Sequence, residues 1–367
     1  MTQKMPIPIW SIAAPVVGWA VLAVSFMSAA GSAMAASMAF SALLGAALLA
    51  CVVAAVHHAE VVAHRVGEPY GTLLLAVAVT VIEVGLIVSL MIAGGAATTA
   101  LARDTVFAAV MIILNGIVGL CILVGAQRHH EQTFTLSGVS ASLATLAAIV
   151  TLTLVLPNYT VTAAGPFYSA SQLGFIAVVS LVLYGTFVLV QTVRHRDYFL
   201  PEDARSDAQA HAQPPTARTA LVSAGLLLAC LAAVVLAGKA LAPSIELGVA
   251  AMGAPAALVG IIIAAVVLLP EGLAAVRAAR ANRLQTSLNL ALGSALATIG
   301  LTIPAVAIVS LATGWTLTLG IDLKSTVLLV LSLMVATLSL GTGRTTVLQG
   351  VVHLVIFAAF LFLAFVP

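Results

Sequence analysis

Charged residues are scarce in this chain of 367 residues, at 7% of the total, whereas soluble domains carry about 25%. Aromatic residues are also few, at 5%, and the three cysteines (Cys51, Cys121 and Cys230) all lie within apolar runs. Because the cysteines have no metal-ligand spacing, we expect buried, inert thiols. The net charge of +2 gives no reason to expect a nucleic-acid partner. The scarcity of charge excludes an ordinary soluble domain.

Hydrophobic residues make up 62% of the chain, and the mean hydropathy is +1.20. A hydropathy window of about 19 residues predicts eleven membrane-spanning helices. We therefore expect an all-α polytopic membrane protein that has the lipid bilayer as its surroundings. The predicted spans are 8–28, 38–62, 71–93, 105–126, 136–156, 171–193, 219–241, 249–276, 285–312, 325–341 and 346–366.

The first predicted span imitates a secretory signal, with Lys4 before an apolar run and small residues near 32–36. The run from Ile7 to Met27 is nevertheless long for a signal and right for a bilayer. These features favour a retained first helix.

The basic residues predict the orientation of the spans. If the N-terminus is cytoplasmic, eleven of the fourteen Lys and Arg residues fall inside, and only Arg103, Lys239 and Lys324 fall outside. Cytoplasmic loops are enriched in Lys and Arg, so this asymmetry favours both the orientation and the span count. The C-terminus is then periplasmic, in a bacterial inner membrane.

A polar segment at 194–218 divides the chain into two sets of five spans. Its acids and prolines are typical of a flexible cytoplasmic linker, and calcium sensing is a less favoured alternative. The predicted organisation is an extra N-terminal helix (1–30), a first five-helix repeat (31–193), the linker and a second five-helix repeat (219–367). Since five is odd, the two repeats are inverted, as in many secondary transporters.

Only two carboxylates lie deep within apolar sequence, Glu83 and Glu271, each in the second span of its repeat. A charge at the bilayer centre costs roughly 2.5–3.5 kcal/mol on insertion scales, and such residues are usually functional. A structural glutamate kept protonated is the alternative interpretation. The equivalent placement of two acids favours one shared binding site.

Further polar groups accompany the two acids. Pro270 and Gly272 flank Glu271, which predicts a broken helix with free carbonyl groups at the acid. The candidate supporting side chains are those that lie within or near the same spans, and local hydrogen bonding or helix packing is the alternative for each. They are Thr80, Asn115, Asn289, Ser294 and Thr298.

A second cluster lies at the predicted cytoplasmic end of span two. On a helix His57, Glu60 and His64 project to one side, so a metal site or a pH-sensitive gate is conceivable. The spacing differs from the HExxH motif of metalloproteases. An interfacial or regulatory role is favoured.

Two carboxylates supply a charge of −2 and oxygen ligands, which suit one Ca²⁺ ion. Without a cation, desolvation and mutual repulsion both favour the protonated forms. A site that holds either a cation or protons is typical of an exchanger. A membrane enzyme is disfavoured because no catalytic motif is found, and a cation channel is an alternative.

The segments GEPYGTLLLAVAVTVIEVGLIVSL (67–90), LLPEGLAAVRAARANRLQTSLNLALGSALATIGLTIPAV (268–306) and HHAEVVAH (57–64) resemble the ChaA-type branch of the cation/proton exchangers, within the calcium/cation antiporter superfamily. The resemblance covers nearly the whole chain. It implies eleven spans, two inverted repeats, and repeat motifs around 83–115 and 271–298. It also implies cations and protons as transported partners, without a resident cofactor.

Calcium/proton exchangers carry a GNxxE-like motif that ends in an essential glutamate, a place that Glu83 and Glu271 take here. Thr80 and Leu268 stand where the motif has asparagine. This departure puts calcium selectivity in question, and the ChaA-type branch is associated with Na⁺ and K⁺ as well. The sequence predicts a Ca²⁺/H⁺ antiporter, with Na⁺(K⁺)/H⁺ exchange as the alternative, and leaves the oligomeric state open.

Overall fold

The computed structural model describes residues 7–28, 38–67, 70–200 and 215–366, without the side chains of 70–76, 93, 96 and 97. Nearly all of the described chain is helical. The α-helices are α1 (Ile9–Ser28), α2 (Met38–Val66), α3 (Tyr70–Gly94), α4 (Leu101–Met111), α5 (Val118–His129), α6 (Leu136–Val150), α7 (Ala170–Leu189), α8 (Ala217–Ala251), α9 (Ala257–Arg280), α10 (Leu284–Thr313), α11 (Leu323–Leu340) and α12 (Val347–Phe365).

Three spans in the described part of the chain contain a π-helical segment, in which each hydrogen bond spans one residue more than in an α-helix. The first segment, Ile112–Ile117, joins α4 and α5 into one span. The others are Thr151–Val155 after α6 and Val190–Arg194 after α7. Two short strands, β1 (Gln132–Thr133) and β2 (Arg344–Thr345), pair in antiparallel fashion.

The predicted polytopic all-α fold is confirmed. Ten helices within the described residues are long and apolar enough to cross a bilayer, and α3 contributes a shorter apolar stretch, Val77–Ile92. The predicted domain boundary at residue 30 and most of the linker, 201–214, lie outside the described residues. All three cysteines are buried thiols, as expected.

One predicted boundary is wrong. The seventh span was predicted to end at 241 and the eighth to begin at 249, but α8 continues through Pro243 to Ala251. The break comes only at Gly253, which adopts a φ of 66°, followed by Pro255. A proline bends a helix without ending it when the surrounding packing holds both sides, so Pro243 is a poor stop signal here.

The chain forms two compact units, and the first comprises α1, α2, α3 and α8. Its most extensive contact joins α2 and α8, and α1 lies against both. The Trp19 indole N–H of α1 donates to the Ala229 carbonyl of α8 at 3.1 Å. His58 Nε2–H of α2 donates to the Ser11 carbonyl of α1 at 3.0 Å. Through these bonds α1 ties the first helices of the two predicted repeats to each other.

The second unit comprises α4–α7 and α9–α12. Its centre is α10, which contacts α4, α5, α6, α7 and α9. Two contacts in this unit are equivalent in the predicted repeats, since each joins the third span of one repeat to the fifth span of the other. These are the crossing of α5 with α12 and the crossing of α10 with α7.

Loops at one end of the second unit bind each other. The pairing of β1 with β2 joins the loop after α5 to the loop after α11. Gln132 Nε2 donates to the Ala279 carbonyl at 2.9 Å, and the Thr135 N–H donates to Gln285 Oε1 at 2.7 Å. All of these loops were predicted to be cytoplasmic.

Loops at the other end are joined in the same way. Asn158 Nδ2 donates to the Ile321 carbonyl at 2.7 Å, and the Ile321 N–H donates to the Leu154 carbonyl at 2.9 Å. Arg103 donates to the Gly320 carbonyl at 3.2 Å. These loops were predicted to lie on the outer side, so each predicted side corresponds to one end of the second unit.

Candidate cation-binding site

Glu83 lies in α3 and is buried, with 1% of its surface exposed. Thr80, one turn earlier on the same face, is 3% exposed. The turn that carries Glu83 is held against α8, because a Cβ on Gly85 would lie 3.0 Å from Val235 and Gly238 directly faces Leu86. Small residues at these positions let the helix backbones approach closely. The carboxylate of α3 is therefore held by close packing inside the first unit.

Glu271 lies in α9 of the second unit and is half-buried. The predicted unwinding of the helix at this acid is wrong, since α9 is continuous from Ala257 to Arg280 with Pro270 inside it. Pro270 lacks an N–H group and so cannot donate to the carbonyl of Val266, four residues earlier. Neighbouring turns maintain the helix on both sides. One backbone carbonyl is nevertheless left without its helical donor near Glu271.

Asn115 lies within the π-helical turn Ile112–Ile117 and is completely buried. The change of register is visible where the Val118 N–H donates to the Ile113 carbonyl, five residues back. Gly272, the residue after Glu271, lies against this turn, since a Cβ there would be 3.2 Å from Ile117 Cδ1. The structure therefore brings together the elements that carry Asn115 and Glu271. π-Helical turns are frequent at functional sites.

The Asn115 side chain takes part in a buried hydrogen-bond network that sequence reasoning missed. Its Nδ2 donates to Ser332 Oγ of α11 at 2.8 Å, and its Oδ1 faces His353 Nδ1 of α12 at 3.4 Å. His353 Nε2 lies 2.8 Å from Ser339 Oγ. A signal was available for His353, which is the only ionisable residue between 347 and 365.

The candidate residues of α10 occupy different surroundings. Thr298 is 2% exposed, and Ser294, one turn before it, is half-buried. Asn289 lies nearer the start of the helix, where its Nδ2 donates to the Phe199 carbonyl at 2.5 Å and its Oδ1 accepts from Gln285 at 3.0 Å. The amide of Asn289 thus anchors the segment that follows α7. Its predicted role beside the two glutamates stays a prediction, as do those of Ser294 and Thr298.

The histidine cluster of α2 divides into a buried and an exposed part. His57 is half-buried, with its ring centroid 5.1 Å from that of Trp10 in α1, whereas Glu60 and His64 are exposed. His58, which the spacing did not single out, is completely buried against Ser11. Within the described residues no group of three His, Cys, Asp or Glu side chains could hold a metal ion. The regulatory role of His57, Glu60 and His64 stays a prediction.

The two glutamates belong to different units, Glu83 to the first and Glu271 to the second. The pairing of their carboxylates therefore stays a prediction that rests on the equivalence of the two repeats.

Comparison with known families matches residues 35–193 and 222–366 to the sodium/calcium exchanger proteins. The chain belongs to this family. It is accordingly an integral membrane protein with a cation-exchanger fold, and the resemblance to the cation/proton antiporters is confirmed. This exchanger is 39% identical to the sodium-potassium/proton antiporter ChaA of Escherichia coli, over 88% of its own length and 87% of that protein.

A second relative of the exchanger is the putative ionic transporter y4hA of Sinorhizobium fredii, 49% identical over 98% of this chain and 97% of the relative. Among solved structures, the fold matches native YfkE with a TM-score of 0.73, covering 96% of this chain and 99% of that one at 18% identity. It matches the H⁺/Ca²⁺ exchanger CAX with a TM-score of 0.71, covering 96% and 87% at 14% identity. The relatives are transporters, in agreement with a function other than catalysis.

Proposed function

We propose that this exchanger is a secondary active cation/proton antiporter of the bacterial inner membrane. It exchanges Ca²⁺ for H⁺ by alternating access, at a site near the midplane that Glu83 and Glu271 share. The N-terminus is cytoplasmic and the C-terminus periplasmic. The clustering of the predicted cytoplasmic loops at one end of the second unit supports the alternation of the predicted spans. The excess of Lys and Arg residues on the predicted cytoplasmic side supports this orientation.

The burial of two carboxylates in equivalent helices is the observation that carries the proposal. Glu83 is 1% exposed and Glu271 is half-buried, and both lie in the interior of apolar helices. Ionised carboxylates in such surroundings are costly unless a cation or a proton neutralises them. A site that must always be neutralised exchanges one occupant for another, which is the chemistry of an antiporter.

The remaining ligands can come from the same elements. Ca²⁺ takes six to eight oxygen ligands, of which two carboxylates supply at most four. The Thr80 hydroxyl lies one turn from Glu83, and the Val266 carbonyl lies just over one turn from Glu271. Water completes the shell. Alternating access follows because the protein changes between its inward-open and outward-open states only when the charge of the site is neutralised.

A second candidate is Na⁺(K⁺)/H⁺ exchange at the same site. Two observations favour it: the relative ChaA is a sodium-potassium/proton antiporter, and Thr80 and Leu268 stand where calcium/proton exchangers carry asparagine. The charge of −2 favours Ca²⁺, because a single divalent ion neutralises both carboxylates at once. One Na⁺ or K⁺ would need a second cation or a proton beside it.

Transport assays distinguish these possibilities. A proton gradient is imposed across the membrane of everted vesicles and proteoliposomes, and exchange is measured separately with Ca²⁺, Na⁺ and K⁺. We expect Glu83→Gln and Glu271→Gln each to abolish exchange while the protein still inserts in normal amounts. Glu131→Gln is the matched control, because Glu131 is an exposed loop acid bonded to Arg344 at 3.2 Å. Full proton-coupled transport in either glutamate variant would refute the shared site.

A further inference from the structure

His353 lies where α12 and α5 cross with almost no space between them. A Cβ on Gly119 of α5 would lie 2.8 Å from the Cβ of His353, and a Cβ on Gly350 of α12 would lie 2.6 Å from the Leu123 nitrogen. Only glycine at both positions permits this approach. The imidazole ring therefore extends past Gly119 to the preceding turn, which is the π-helical turn of Asn115.

The donors and acceptors of the hydrogen bonds around His353 can be assigned in one consistent way. Ser332 Oγ donates to the Leu328 carbonyl at 2.7 Å, so it accepts from Asn115 Nδ2. Asn115 Oδ1 must then face His353, and it accepts from Nδ1–H of the ring. His353 therefore fixes which way the Asn115 amide points.

The other ring nitrogen, Nε2, connects the Asn115 hydrogen bonds to the start of α12. In the neutral ring Nε2 accepts from the Ser339 hydroxyl at 2.8 Å. Gln349 Nε2 donates to the Ser339 carbonyl at 3.1 Å, and its Oε1 accepts from the Thr346 N–H at the start of the helix. The imidazole is thus held from both sides. Because the His353 ring is fixed in this way, it can in turn fix the Asn115 side chain.

The π-helical turn transmits its position to the helix of Glu271. Ile117 ends the turn, and Gly272, the residue after Glu271, packs against its side chain, since a Cβ on Gly272 would lie 3.2 Å from Ile117 Cδ1. The turn and this part of α9 are therefore in contact, so the position of the turn can act on the segment that carries Glu271. His353 itself is not placed in contact with the cation.

We propose that His353 is a positioning residue for cation binding, acting through the Asn115 amide and the π-helical turn on the α9 segment that carries Glu271. This role rests on the proposed antiport at Glu83 and Glu271. It differs from a purely structural role because it predicts an effect on cation affinity, in addition to any effect on folding.

The second crossing of the same unit provides a matched control. There α7 crosses α10, and a Cβ on Gly300 would lie 2.7 Å from the Cβ of Tyr184. Tyr184 is 7% exposed, so its packing is comparable to that of His353. Replacing either side chain by leucine creates a similar packing defect. Only the replacement at 353 also releases Asn115.

The experiment compares His353→Leu, His353→Asn and Tyr184→Leu as purified full-length protein in proteoliposomes. For each of Ca²⁺, Na⁺ and K⁺ that the wild type transports, we expect His353→Leu to raise KM at least about fivefold with kcat within about twofold. His353→Asn keeps an N–H donor near the Nδ1 position and is expected to recover most of the affinity. Tyr184→Leu should lower thermal stability and leave KM unchanged.

A double-mutant cycle with Asn115→Ala tests whether His353 acts through Asn115. The double variant His353→Leu/Asn115→Ala should have the KM of Asn115→Ala alone, because the two residues act as one unit. An unchanged KM in His353→Leu, or additive effects in the cycle, would overturn the proposal. If His353→Leu fails to fold, Ser339→Ala replaces it, with the same expected direction and the same refuting result.

The glutamate variants keep this inference separate from the proposed function. Transport that survives in Glu271→Gln contradicts the antiport site itself, and with it the role of His353. Loss of transport in Glu271→Gln together with an unchanged KM in His353→Leu contradicts the positioning role alone.

Discussion

α3 and α9 carry their carboxylates at equivalent places in the two predicted repeats, yet the surroundings of the two acids differ. In α3 a hydroxyl side chain, Thr80, precedes Glu83 by three residues, and the acid is buried. In α9 the corresponding residue is the apolar Leu268, Pro270 directly precedes the acid, and Glu271 is half-buried. The two repeats are therefore equivalent in the position of the acid and differ in the residues beside it.

The difference indicates two ways to provide an oxygen ligand beside a membrane carboxylate. α3 provides a side-chain hydroxyl from an uninterrupted helix. α9 provides a backbone carbonyl, that of Val266, which Pro270 deprives of its helical donor. Free carbonyl groups at membrane depth are tolerated where they line a cavity. The two predictions that follow remove each ligand in turn.

Pro270→Ala is expected to have the larger effect. The alanine N–H would bond the Val266 carbonyl, which removes that oxygen from the cation and stabilises α9. We expect a roughly tenfold higher KM for the cation, which corresponds to about 1.4 kcal/mol. Proteoliposome transport gives KM, and scanning fluorimetry gives the unfolding temperature, which should rise.

Pro243→Ala in α8 is the control for this experiment, since Pro243 also lies inside a helix. It should raise the unfolding temperature without changing KM. If Pro270→Ala becomes more stable and keeps the wild-type KM, the Val266 carbonyl is not a ligand, and the proposed difference between α3 and α9 disappears.

Thr80→Val is expected to have the smaller effect. Valine has nearly the shape of threonine and lacks the hydroxyl, so packing is preserved. Polar contacts between membrane helices average about 0.6 kcal/mol, which predicts a roughly threefold higher KM. Leu268→Val in α9 is the matched control and should leave KM as it is. Equal changes in both variants would attribute the effect to packing.

Much of the fold could be predicted because each span is a long apolar run. Most predicted bounds agree with the structure within a few residues, whereas the end of α8 was missed because Pro243 lies inside the helix. The π-helical turn at Asn115 could not be predicted, since its residues are ordinary in helices. It lies beside the crossing of α5 and α12, which joins distant parts of the sequence.

The candidate site was predictable only in part. Glu83 and Glu271 are conspicuous because a carboxylate is rare in apolar sequence. The contact between Asn115 and His353 joins residues 238 positions apart, and no local pattern indicates such a pair. The hydrogen bond from Asn289 to the Phe199 carbonyl joins residues 90 positions apart and was likewise not indicated by any local pattern.

The central claim is that Glu83 and Glu271 form one site, and equilibrium binding of radiolabelled Ca²⁺, Na⁺ and K⁺ to purified protein tests it most directly. For Ca²⁺ a shared site predicts one bound ion per chain, and either Glu83→Gln or Glu271→Gln alone removes that ion completely. Two bound ions in the wild type, one of which survives in each single variant, would mean two separate sites and would contradict the claim.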